Sequence, residues 1–377
     1  MRILQVIPFY TPSRGGSVVA PHNLVRALKE RGHDMTVLTT DFELDRDFAR
    51  SIDGVEVVPV PVRLQASMML YSPAMGRWLE EHVSDYDIVH AQNYRTYQNV
   101  LVRKMCLRHD VPYVLQAHGS LPSELGKSTI KRLYDAAWGR RIVRSASRLI
   151  AVSELEAEQY VRLGADRSLV SVIPNAVERR MTSKVRGAFK CALGIDGQMV
   201  LFLGRLNGIK GLDMLLRAFS RCRSKTSAVL VIAGPDEDGC RSELEHEVRR
   251  LGLTERVTFT GRLDDVASAY QDADVLVYPS SYEVFGMVPL EAILLGTPVI
   301  VTSGTGCGEI IGRLGCGSTV PIGDVDALAR AIDEVLSDPA GSRRKAEGGR
   351  RRIEVELGMQ TIAAMFEDVY ADCLRDH

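Results

Sequence analysis

No stretch of this chain approaches the ~18 consecutive apolar residues that a membrane-spanning helix requires, so none is expected. Charge of one sign is also lacking. The 47 Lys and Arg stand against 48 Asp and Glu, a net charge of -1, which gives no general pull toward nucleic acid. The seven cysteines are odd in number, scattered, and contain no Cys-x-x-Cys pair. Reduced thiols in a cytoplasmic protein and no metal site are the simplest expectation. Met1-Arg2-Ile3-Leu4 enters a strand pattern at once, so no signal peptide is expected. A dinucleotide-binding Gly-x-Gly-x-x-Gly and a P-loop Gly-x-x-x-x-Gly-Lys-Ser/Thr are both absent, which speaks against a dehydrogenase or a P-loop NTPase. Repeats and low-complexity segments are missing as well.

What remains is an ordinary α/β composition in 377 residues, a length that suggests two domains. Residues 3–9 read as a strand, 17–31 as a helix ended by Gly32, and 35–40 as a second strand. That βαβ start predicts a parallel, doubly wound sheet. Gly15 and Gly16 stand at the helix start, where backbone can approach a ligand closely. Further strands are expected at 87–92, 112–117, 149–152 and 170–173. The fourth of these six runs into Ala117-His118-Gly119, which places His118 at the carboxyl end of a strand.

The second half holds the denser chemistry. A strand at 199–203 leads into Gly204-Arg205-Leu206-Asn207-Gly208-Ile209-Lys210-Gly211 and then a helix. Two cations and free N–H groups on one strand-to-helix loop suit a diphosphate. The apolar run 275–277 leads into Tyr278-Pro279-Ser280-Ser281-Tyr282-Glu283-Val284-Phe285-Gly286-Met287, with Glu291 on the helix behind. One carboxylate therefore sits at the mouth of a strand-to-helix loop, where open α/β sheets bind ligands, and the other on the following helix. Carboxylates beside an anion site suit a ligand that carries both phosphate and hydroxyls, as a nucleotide sugar does.

These motifs resemble those of the retaining glycosyltransferases of family 4, the glycosyl transferases group 1, which have the GT-B fold. Their Glu, seven residues, Glu pattern with Phe-Gly after the first Glu is matched by Glu283, Phe285, Gly286 and Glu291, and their Gly-Arg-Leu with Lys-Gly by Gly204, Arg205, Lys210 and Gly211. The resemblance implies two facing Rossmann-like α/β/α domains with a cleft between them. Residues 1–180 would bind the acceptor, 181–357 the nucleotide sugar, and a helix at about 358–377 would return to the first domain. It implies that Arg205 and Lys210 hold the donor phosphates, that Glu283 and the N–H groups around Phe285, Gly286 and Met287 hold the sugar, and that Glu291 takes the ribose. His118 would position the donor, Gly15 and Gly16 would approach its diphosphate, and the base would pack near Gly261-Arg262-Leu263. No cofactor and no metal are implied. Ala176 replaces the family's Gly after Pro174-Asn175, and the glycines before Glu309 are differently placed. The alternatives are a nucleotide-sugar epimerase or sugar phosphorylase on the same fold, or a non-catalytic nucleotide-sugar-binding protein.

Two segments suggest a membrane partner for a glycan or lipid-linked acceptor. Residues 63–80 combine Met68, Met69, Met75 and Trp78 with Arg63 and Arg77. Residues 127–148 form a basic amphipathic pattern that would lie against an anionic surface at the inner face of a membrane.

Overall fold

Short β-branched and apolar runs bounded by Gly, Pro and Asp form the strands, and helices with one apolar face cover them. The computed structural model describes residues 1–66, 69–122, 128–178, 185–222, 228–236 and 238–377. Met68, Lys127 and the 180/181 boundary lie outside the described residues. The chain divides into two units, Met1–Ala176 with Met359–His377, and Val177–Gly358.

The first unit is built on β1 (Arg2–Val6), β2 (Asp34–Thr40), β3 (Glu56–Val60), a hairpin of β4 (Leu64–Ala66) and β5 (Met69–Tyr71), then β6 (Ile88–Gln92), β7 (Tyr113–Gln116), β8 (Arg148–Ala151) and β9 (Val170–Val172). Apart from the hairpin these strands form one sheet in the order β3-β2-β1-β6-β7-β8-β9. Its ladders are parallel, with Ile3 opposite Met35 on one side and Ile88 on the other. The side-chain period of two gives the sheet two apolar faces. Leu4, Val6, Val89 and Leu115 pack on one. On the other, Ile3, Ile7, Ile88 and Val114 pack with the helices Gly16–Glu30 and Met359–Asp376.

The second unit carries β10 (Met199–Leu203), β11 (Val229–Ala233), β12 (Val257–Gly261), β13 (Val275–Tyr278), β14 (Val299–Thr302) and β15 (Ser318–Val320). They form a parallel sheet in the order β12-β11-β10-β13-β14-β15. The order reverses beside β10. The carboxyl ends of β10 and its neighbours therefore open the crevice at which such sheets take ligands.

The helix expected at about 358–377 is Met359–Asp376, and a separate helix, Pro339–Glu356, precedes it with Leu357 and Gly358 between them. That break coincides with the border between units. Pro73 starts the helix Pro73–His82: it occupies the first turn, where its missing N–H costs nothing, and Ser72 caps Met75 N. Arg148 is no part of a basic helix; it lies in β8 and pairs with Asp376.

The last helix is tied to the first by charge as well as by apolar contact. Arg31 and His33 reach Glu367 at 2.6 and 2.7 Å. The Arg31 hydrogen bond, aided by His33, holds the Glu367 carboxyl down to about 2. A depressed carboxyl contributes stability above its unfolded value of about 4.5 and loses it as pH falls through the folded value. Glu367→Gln is therefore expected to lower stability at neutral pH and to flatten the acid limb between about pH 4.5 and 2. The chain's two tryptophans, Trp78 and Trp138, both belong to the first unit, so an acid titration of their fluorescence reads this effect. An unchanged limb would refute it.

Candidate active site

In the second unit the Gly204–Gly211 loop is pressed onto the end of β13. Gly211 adopts φ 67° and any side chain there would collide with the Pro279 carbonyl, so only glycine fits. Ser281 N donates to Ile209 O at 2.8 Å. This contact brings Lys210, on the single 3-10 turn Gly208–Lys210, against residues more than sixty positions later. Its Nζ donates to Tyr278 Oη at 2.5 Å and to Glu283 Oε2 at 2.7 Å. Tyr278 Oη donates to the same Glu283 oxygen at 2.8 Å. Lys210 also lies 4.7 Å from the centre of the Tyr278 ring, which stacks on Phe202. Burial first, and then the Glu283 charge, push the Tyr278 phenol well above its ordinary value, so it stays a neutral donor. The phosphate-binding cation and the sugar-binding carboxylate of the sequence argument are thus a bonded pair.

Behind them, Gly286 at φ 82° packs on Cys307, and a side chain at Gly286 would strike that thiol at 2.5 Å. Gly306 N donates to Glu283 O at 2.7 Å. Phe285 is buried, and Met287 opens the helix Met287–Leu294. Glu291, on its second turn, is buried and accepts from Tyr270 Oη at 3.1 Å.

A cavity of about 490 Å³ lies at the ends of β10, β11 and β12, lined by Gly204, Arg205, Gly234, Arg262, Leu263 and Asp264 among others. Its floor is backbone: Gly204 N donates to Ala233 O, Gly234 N to Gly261 O and Leu206 N to Pro235 O at 2.8–3.0 Å. A side chain at Gly234 would collide with the Gly204 carbonyl. The resemblance points to the Gly261-Arg262-Leu263 loop but gives Arg262, Asp264 and Tyr278 no role of their own. Gly261-Arg262-Leu263 repeats the Gly204-Arg205-Leu206 triplet at the end of another strand, and that repetition is a signal that could have found Arg262.

His118 and Gly15-Gly16 belong to the first unit. His118 has a left-handed φ of 51° and its Nε2 lies 2.6 Å from Gln92 Oε1. Gly15 has φ 75° and starts the helix Gly16–Glu30 on an exposed loop. Nothing within 4 Å would oppose a side chain at Gly16, so packing within the chain does not require glycine there.

Two family profiles cover most of the sequence: "Glycosyl transferases group 1" matches residues 189–352 and "Glycosyl transferase 4-like domain" matches 15–176. An uncharacterized glycosyltransferase of Methanocaldococcus jannaschii is 30% identical across 98% of this chain and 98% of its own. The chain belongs to the group 1, family 4-like glycosyltransferases. Glycogen synthase of Mycobacterium tuberculosis is 29% identical over 98% of this chain and 94% of its own length. The Anabaena HepE structure with UDP and glucose superposes with a TM-score of 0.81 at 21% identity, covering 98% of this chain and 99% of HepE. That likeness gives this glycosyltransferase the GT-B fold of two Rossmann-like domains.

Next to His118 the glycosyltransferase carries a buried ion pair that sequence spacing does not reveal. Arg95, at φ 60°, meets Asp135 at 2.7 Å with both side chains 8% exposed. Its guanidinium also donates to the carbonyls of Ser120 and Leu121 at 2.6 and 2.7 Å. Tyr94 Oη donates to Asp135 at 2.9 Å. Asp135 starts the π turn Asp135–Gly139 within an otherwise α-helical stretch, Ser128–Tyr134 and Arg140–Ser145. The wider turn carries Asp135 inward toward Arg95, and Gly139 leaves the space that Tyr94 Oη fills.

Proposed function

We propose that the enzyme transfers a hexose from a nucleoside-diphosphate sugar to an acceptor hydroxyl with retention at the anomeric carbon. The bond between Glu283 and Lys210, which stands on the same loop as the Arg205 that lines the cavity, carries this reading. The barrier is departure of the diphosphate and the oxocarbenium-like centre it leaves. Arg205 and Lys210 stabilise the charge that grows on the leaving group. Glu283 orients the hexose hydroxyls, Glu291 takes the ribose, and Arg262 and Asp264 border the space left for the base. Front-face attack lets a donor phosphate oxygen accept the acceptor's proton, so neither a protein nucleophile nor a metal takes part. HepE is solved with UDP and glucose, and that supports a UDP-hexose over a GDP-hexose donor. A panel of nucleotide sugars assayed with chelator present tests the reading. We expect one donor to be consumed with a product of unchanged anomeric configuration by NMR. Inversion, or activity restored only by a divalent ion, would overturn it.

The acceptor is proposed to be a glycan or lipid-linked saccharide, with the first unit docked on an anionic membrane surface at its cytoplasmic face. Among the described residues, the segment 63–80 does not present its Met and Trp side chains for insertion. Leu70 in β5 and Met75 and Leu79 in the helix Pro73–His82 are buried, and Met69 and Trp78 pack against the core. The Ser128–Ser145 stretch instead exposes Ile130, Leu133 and Trp138, at 66, 66 and 47%, beside Arg132, Arg140, Arg141 and Arg144. Among the described residues no helix is long and apolar enough to cross a membrane, so contact would be interfacial. Co-sedimentation with vesicles containing anionic lipid is expected, weakening with salt as screening shortens to ~8 Å and below. Ile130→Ser with Leu133→Ser should abolish it. Equal binding to neutral vesicles would remove the electrostatic part.

A further inference from the structure

His118 is held from two sides by groups that the proposed transfer does not use. Gln92, at the end of β6, is in register with Gln116 on β7, two residues before His118. The Gln92 side chain is fully buried, and its one hydrogen bond among the described residues is to His118 Nε2, at 2.6 Å; its Nε2 has no partner there. Burying an amide for a single bond is costly, and that bond is directed at the imidazole.

Glu156 grips the turn that carries the ring. It is the third residue of the helix Glu154–Arg162, which Ser153 caps. In an ordinary capping box the glutamate returns to the N-cap's own N–H. Here it reaches one residue further, to Val152 N at 2.8 Å, and across to Gly119 N at 2.5 Å. Glu156 is wholly buried and pairs with no cation among the described residues. Burial pushes its carboxyl up to about 7 against those two N–H groups. His118 and Gly119 both have positive φ, 51° and 79°, a conformation uncommon for any residue other than glycine.

We propose that Gln92 and Glu156 are positioning residues for His118: Gln92 locks the imidazole in its Nε2–H form, Glu156 locks the turn beneath it, and Nδ1 is thereby presented as an acceptor to a hydroxyl of the donor's hexose. The last clause rests on the function proposed above; the lock itself does not. Nε2–H donates to Gln92 Oε1, which leaves the Nδ1 lone pair outward. Burial holds the ring near 4 and its neighbour His90 near 3, so both are neutral at physiological pH. Of the elements around His118, β6 and the last helix bring His90 and Tyr370, bonded to each other at 2.8 Å, and the helix Glu154–Arg162 brings Glu156. The small cavity beside the ring is otherwise lined by groups that do not titrate, including Pro21, Leu24, Gln116, Asn175, Met359 and Phe366.

The test is 15N–1H correlation of protein labelled at histidine, together with donor kinetics. Wild-type His118 should appear as one neutral Nε2–H tautomer from pH 8 to 5. Gln92→Leu should mix the tautomers and raise the donor KM by about ten-fold, the loss of one hydrogen bond, with a smaller change in kcat. Gln92→Glu should let His118 protonate, turn Nδ1 into a donor, and add a falling acid limb to kcat/KM beyond any that Glu156, held up at about 7, gives the wild type. Glu156→Gln should keep the tautomer but speed exchange of the Gly119 amide. A wild-type Nδ1–H tautomer or a mixture, or an unchanged ratio in Gln92→Leu, would overturn the lock. A locked tautomer with full activity in His118→Ala would overturn the hexose contact alone.

Discussion

Arg205→Ala is expected to lower kcat by about 100-fold or more, because removing one preorganised donor from developing charge costs about 2.7–4 kcal/mol. Lys210→Ala should lose at least as much. The two differ in what else they disturb. Arg205 is exposed, and its removal should leave the melting temperature almost unchanged. Lys210 is 9% exposed and neutralises Glu283. Its removal leaves a half-buried carboxylate beside a phenol with no cation, so Lys210→Ala should also be less stable. Lys210→Arg should restore little activity, since a planar guanidinium cannot sit where the ammonium meets both Tyr278 and Glu283. Initial rates with saturating donor, and a thermal melt of each variant, are the measurements. Near-normal turnover in both alanine variants would remove the diphosphate assignment.

Asp135→Ala is expected to destabilise the first unit by about 3–5 kcal/mol, the usual effect of removing one partner of a buried ion pair. The Arg95 charge would remain in place with Tyr94 and no carboxylate. Urea unfolding followed by tryptophan fluorescence reports this unit alone, because Trp78 and Trp138 are the chain's two tryptophans. Activity should fall as well, since Arg95 holds the carbonyls of residues that follow His118 and Gly119 directly. A loss below about 1 kcal/mol would place the pair among those that contribute nothing net.

What could be read from sequence was what the backbone demands. Strand runs of four or five apolar residues announce themselves, and glycines such as Gly211 and Gly286 stand where no side chain fits. Arg205 and Lys210 are therefore legible as residues of one strand-to-helix loop. The contacts made by side chains across the fold were not legible. Lys210 and Glu283 are 73 residues apart, and nothing local says that they bond. Glu156 looks like a helix-capping glutamate until Gly119 is seen above it. Met75 and Trp78 suggested an adhesive surface because their period fits a helix, but period alone does not say which side of a helix meets the core. The π turn at Asp135 follows from Arg95, forty residues earlier.

The helix Met359–Asp376 covers a sheet whose strand β1 is made long before it. Glu367 must find Arg31 across 336 residues. Ring closure over such a span adds little to the equilibrium cost, which grows only with the logarithm of length. On the ribosome it imposes a wait. At roughly 5–20 residues per second, the interval between making Arg31 and making Glu367 is on the order of tens of seconds. Throughout that time the face destined for Ile362, Phe366 and Tyr370 is uncovered. Gln5, His90 and Gln92, all buried in the finished protein, lie on that side of the sheet. A nascent surface interrupted by two amides and an imidazole is wetter than a continuous Val and Ile face, and less apt to capture another chain before its own last helix arrives.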